Sequence, residues 1–83
     1  MQRFSPDRLF ERVRVLRESM GLTQEQFAEQ IGMSYKYFQA LEAGRKSDLR
    51  LSTLKRLAKG FGIELWQLFG PELPVVKQPR KRQ

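Results

Sequence analysis

The residues with most to offer chemically sit close together: Tyr35, Lys36, Tyr37 and Gln39, followed by Arg45, Lys46 and Arg50. Lysine and arginine donate charged hydrogen bonds, a glutamine amide donates and accepts at once, and a tyrosine hydroxyl does either. Such a set suits recognition rather than bond-breaking. The 83-residue chain contains no histidine and no cysteine, which removes the commonest general base, the commonest metal ligand and any thiolate. The acids are scattered along the chain, and no nucleophile–base pair or metal cluster can be drawn among them. An enzyme is not expected, and neither is a metal or other cofactor.

Charge narrows the partner. Sixteen Lys and Arg against nine Asp and Glu leave +7, unevenly placed. Residues 1–35 balance five arginines with five acids, whereas residues 36–59 set seven basic residues against Glu42 and Asp48, hence +5. From Gly70 on, four basic residues face Glu72 alone, hence +3. A basic block behind a neutral half suits a phosphate-bearing partner. The plainer alternative is a solvated basic face that aids solubility. No apolar run approaches the roughly 20 residues of a membrane span, and no signal peptide opens the chain. The expectation is a soluble cytoplasmic protein with no membrane role.

The elements that must position these groups are short helices with clear punctuation. Ser5-Pro6-Asp7 opens the first with a cap, a proline and an acid. Leu9, Val13, Leu16 and Met20 then share one face, and Gly21 ends it. Thr23 and Gln26 form a capping box for a second helix, with Phe27, Ala28 and Ile31 inward and Gly32 as its stop. Ser34 caps a third, with Phe38 and Leu41 inward, ending at Ala43-Gly44. After the polar connector 45–51, Ser52 is expected to cap a fourth helix carrying Leu54, Leu57, Ala58 and Phe61. A fifth short turn spans 64–69, with Leu68 and Phe69 available to the core. Residues 71–83, with three prolines and a terminal basic run, read as a flexible basic tail. The fold expected is therefore all-α, a single domain over residues 1–70 with five short helices.

Gly32 explains why a good amphipathic stretch breaks where it does. A three-residue turn, Gly32-Met33-Ser34, joins two short helices through a left-handed residue that glycine adopts cheaply. Ala28 supplies the small side chain where the helices approach, and Phe27, Ile31, Met33, Phe38 and Leu41 hold the pair on the core. That is the pattern of a helix-turn-helix. The plainer alternative is an αα-hairpin in a small bundle. The outward face of the third helix separates the two. With Phe38 and Leu41 inward and 100° per residue, Lys36, Gln39, Ala40 and Ala43 point outward. Tyr35 and Glu42 fall on one flank and Tyr37 on the other. This slim, donor-rich face fits a DNA major groove.

Residues 10–69 resemble the phage-repressor/Cro-type helix-turn-helix, the XRE family of regulators, through VRVLRESMGLTQEQFAEQIGMS, LEAG and LSTLKRLAKGFGIELWQLF. The resemblance implies a five-helix, lambda-repressor-like domain that binds double-stranded operator DNA, usually as a homodimer. Position by position, it implies that Tyr35, Lys36 and Ala40 read base edges, with Gln39 as an additional contact. Gln24, Tyr37, Arg45, Lys46 and Arg50 are expected to grip phosphates. Arg17 and Glu42 match a structural salt bridge between the first and third helices. Leu65 and Trp66 match the region through which family members associate. Phe38, Tyr37 and Glu64 depart from the family's usual Val or Ile, Ser and Ser. The leading expectation is a sequence-specific regulator, a repressor-type protein dimeric on a palindromic site. The alternative is an antitoxin-type interaction module of the same fold that masks a protein partner and autoregulates. A nonspecific nucleic-acid coat would use the charge but not the ordered face.

Overall fold

The computed structural model describes residues 6–46 and 48–76, so the expected Ser5 cap and the terminal basic run of the tail lie outside the described residues. Four α-helices follow in order: α1 (Pro6–Ser19), α2 (Gln24–Gln30), α3 (Tyr35–Glu42) and α4 (Leu51–Phe61). A short 3-10 helix, Leu65–Leu68, takes the place of a fifth α-helix. Among the described residues there is no strand.

Local signals set most boundaries. Thr23 Oγ1 accepts from the Gln26 backbone N–H, and the Gln26 side chain accepts in return from the Thr23 N–H. Ser34 Oγ accepts from the Tyr37 N–H and starts α3. Between them Gly32 takes φ +71, Met33 N–H bonds Ala28 C=O at 2.8 Å, and Gly32 N–H bonds Glu29 C=O at 3.2 Å. This paired closure satisfies the last carbonyls of α2 while turning the chain back on itself. The start of α4 differs from expectation. Ser52 is already the second helical residue, and the cap position falls to Arg50, whose carbonyl receives the N–H groups of Thr53 and Leu54. No side chain caps it. Glu64 does open the final turn, its N–H bonded to the Gln67 side chain at 2.8 Å.

One core holds all the elements. Leu9, Val13, Leu16 and Met20 of the first segment are buried, as are Phe27, Ala28, Phe38, Leu41, Leu57, Ala58, Phe61 and Leu68. Ile31, Met33, Leu54 and Leu65 pack half-buried around them. Phe27 is the centre: it stacks on Phe61 at 4.6 Å and meets Phe38, tilted, at 5.3 Å. The tilt is how α3 carries a phenylalanine where a smaller branched residue is usual. Three buried rings contribute on the order of 2–3 kcal/mol each through desolvation, which makes them the largest apolar terms in so small a core.

Three placements depart from expectation. Phe10 is buried, its ring seated beneath Gly44, so the apolar stripe of α1 is wider than one row. Phe69, expected inward, is 40% exposed, because the tight final turn carries only Leu68 into the core. Val76, assigned to the tail, is buried in the core cluster, so packing continues past Gly70.

Gly60 lies inside α4 against α2, and a methyl added there would collide with Ile31 Cγ2 and stand 3.0 Å from Phe27 Cζ. In an open helix, glycine to alanine gains up to about 1 kcal/mol. Here overpacking, at about 1–3 kcal/mol, outweighs that gain. Gly60→Ala is expected to lower the urea midpoint of unfolding at unchanged m-value; a raised midpoint would show that α2 and α4 separate freely.

Candidate nucleic-acid interface

The third helix is locked from behind. Arg17 of α1 donates to Glu42 of α3 through Nε to Oε2 at 2.8 Å and through Nη2 to Oε1 at 3.1 Å. Arg17 Nη1 also donates to the Leu22 carbonyl at 2.7 Å. Gln24, the first residue of α2, donates from Nε2 to Glu42 Oε1 at 2.6 Å. Helix geometry puts Glu42 on an outer flank, yet its side chain is only 2% exposed. Tyr35, seven residues earlier and so on nearly the same side, is 42% exposed. The reason is coverage: α1 and the start of α2 close over the last turn of α3 and leave its first turn bare.

The uncovered side of α3 carries the expected donors Tyr35, Lys36 and Gln39, all exposed, with Ala40 half-buried beside them and Ala43 exposed at the C-cap. Gln39 Nε2 donates to the Tyr35 hydroxyl at 3.3 Å. On the other flank Tyr37 is half-buried, and Lys46 sits over its ring with Nζ 5.1 Å from the centroid. That cation–π contact draws the basic loop toward the start of α3. Arg45 is exposed, its N–H bonded back to Ala40 C=O at 2.9 Å, and Arg50 is exposed at the mouth of α4. The structure therefore brings Tyr35, Lys36 and Gln39 together on one helix, with Tyr37 and Lys46 beside them. Gln24 stands behind that face, committed through one N–H to the brace.

Leu65 and Trp66 lie elsewhere, on the final turn. Leu65 packs half-buried on the core, while Trp66 is 66% exposed. Arg12 Nη1 ties α1 to this turn through the Gln67 carbonyl at 2.9 Å. Burial first, and the neighbouring Arg8 charge second, push the Arg12 guanidinium below its ordinary value.

Two contributors escape sequence reasoning. Arg56 of α4 donates from Nη1 to the Gly32 carbonyl at 3.2 Å, pinning the interhelical turn from outside. The Leu22 carbonyl anchors Arg17. Neither has a local signal, since one is an arginine on an amphipathic helix and the other a backbone atom. Among the described residues, no group of three Asp, Glu, His or Cys could hold a metal ion, and no helix is long and apolar enough to cross a membrane.

The helix-turn-helix family model matches residues 13–65, from the middle of α1 into the final turn. The control protein C.MunI of a Mycoplasma species is 36% identical over 53 residues, which is 64% of this chain and 70% of that protein. The restriction-modification controller protein C.AhdI of Aeromonas hydrophila superposes with a TM-score of 0.71 at 31% identity, covering 77% of this chain and 91% of that one. A hypothetical transcription factor of Neisseria, NHTF, superposes with a TM-score of 0.73 at 26% identity over 86% of each chain.

The brace behind the exposed face can be measured without any ligand. Glu42→Ala takes the buried carboxylate from Arg17 and leaves it only the Leu22 carbonyl and the exposed Glu18, a loss of about 3–5 kcal/mol. The double variant Arg17→Met/Glu42→Leu removes both charges and is expected to recover most of that loss in urea unfolding. A single variant as stable as the parent would mean the pair contributes nothing to holding α3.

Proposed function

For this chain, which belongs to the XRE-type helix-turn-helix family and is a DNA-binding transcriptional regulator, we propose a dimer on a palindromic operator with α3 in the major groove. The observation that carries this reading is one helix with two unlike sides. Tyr35, Lys36 and Gln39 are exposed on it, while Glu42 fixes it to α1 and α2 from behind. In this reading Lys36 donates to guanine O6 and N7, Ala40 meets a thymine methyl, and Tyr35 and Gln39 contact neighbouring base edges. Arg45, Lys46, Arg50, Tyr37 and the remaining Nε2 N–H of Gln24 hold phosphates and set the register without specifying sequence.

The domain in this reading runs to residue 70, with packing that continues as far as Val76. No catalytic step belongs to it, and the place of action is the cytoplasm. A second copy docks at the final turn through Leu65 and the exposed Trp66, setting two recognition helices about 34 Å apart, one turn of DNA. The relatives named as control proteins support a regulatory role of this kind. The same exposed tryptophan also suits a protein partner, which is the second reading: an interaction module that masks another protein and regulates its own promoter.

Selection from a random DNA library tests the first reading. A palindromic consensus is expected. Lys36→Ala relaxes it at one base pair, while Arg45→Ala weakens binding evenly across sequences and lowers the salt slope by about 1. Steep salt dependence with no consensus would refute base reading by α3. For the dimer, Trp66→Glu is expected to shift the sedimenting species to monomer and to remove the concentration dependence of the melt. An unaltered mass would remove this surface from self-association.

A further inference from the structure

We propose that Tyr35 and Gln39 act as one unit that reads adenine, the tyrosine hydroxyl fixing which way the glutamine amide faces. The inference rests on α3 lying in the major groove, as above. The two residues are four apart on the exposed first turns of α3, and Gln39 Nε2 donates to Tyr35 Oη at 3.3 Å. A glutamine amide carries two N–H donors and one carbonyl acceptor. With one N–H given to the tyrosine, the amide presents Oε1 and the remaining N–H side by side. That acceptor–donor pair matches the N6 amino donor and N7 acceptor of adenine.

Direction decides the purine. Were the amide turned over, with Oε1 taking the tyrosine proton, two N–H groups would face outward. Those suit guanine, which offers acceptors at both O6 and N7. On DNA the tyrosine proton has phosphate and base-edge acceptors available, which leaves the hydroxyl lone pairs for Gln39 and keeps the adenine-facing arrangement. At the base pair read by Gln39, Tyr35 is thus a positioning residue, whatever acceptor its own proton meets, and the base identity it enforces there is read by its neighbour. Lys36 and Ala40 form the adjacent row on the helix and make no side-chain hydrogen bond to this pair, so the base pair read by Lys36 serves as an internal control.

The experiment compares the parent, Tyr35→Phe, Gln39→Ala and the double variant on the selected operator and on half-sites changed one base pair at a time. The position whose preference Gln39→Ala erases is expected to be adenine, favoured over guanine by roughly five- to a hundredfold in the parent. Tyr35→Phe keeps the ring and removes only the hydroxyl. It is expected to collapse the preference at that same position to within a few-fold, with no further loss in the double variant and no change at the Lys36 position. A purely structural role for Tyr35 would instead lower affinity evenly. Guanine or a pyrimidine at the Gln39-dependent position, an undiminished preference in Tyr35→Phe, or no position that depends on Gln39 would each overturn the proposal. A library that yields no consensus would overturn it together with the placement of α3, a result distinct from the other three.

Discussion

A single carboxylate organises this molecule. Moving a carboxylate and a guanidinium out of water costs several kcal/mol per ion, and their attraction returns that only when geometry and further hydrogen bonds are favourable. Glu42 meets the condition: it accepts from two nitrogens of Arg17 and from Gln24. Arg17 spends its other terminal nitrogen on the Leu22 carbonyl. Among the described residues no buried side-chain polar atom lacks a partner. A satisfied pair of this kind adds little net stability over an apolar substitute. It sets orientation, because one point at the end of α3 is fixed simultaneously to α1 and to the first residue of α2. The rotation of α3 about its own axis follows from that, and with it which side chains look outward.

The aromatic centre performs the complementary task. Phe27 between Phe61 and Phe38 draws α2, α3 and α4 together without directional preference. The close approach at Gly60 lets α4 come near enough for that stack to form. Apolar packing thus sets how close the helices lie, while the ionic contact sets how they are turned.

Much of this was legible in the sequence because it rests on local chemistry. The capping box at Thr23 and Gln26, the Ser34 cap and the turn at Gly32 depend on residues within four or five positions of one another, and each formed as its residue types require. What escaped is non-local. Helix periodicity gives an azimuth, but burial depends on how far a neighbour extends along the axis, so Tyr35 and Glu42 share a side and differ in fate. Phe10 is buried because Gly44 leaves room above its ring, a fact about two distant segments. Ser52 lost the cap to Arg50 because α4 begins at Leu51, one residue before its best capping residue. Of the candidate interface, the outward set on α3 was readable from spacing, whereas the Arg56 contact and the Lys46–Tyr37 contact arise only from folding.

The two sides of α3 draw on separate residues: Phe38, Leu41 and Glu42 inward, Tyr35, Lys36 and Gln39 outward. Substitutions at exposed positions ordinarily change stability by no more than about 0.5 kcal/mol. The scaffold therefore places almost no tax on drift in the outward set. On the proposed reading of that set, descendants of such a chain can exchange one address on the genome for another while the body that carries it stays the same, and paralogues can become mutually blind without passing through an unfolded ancestor.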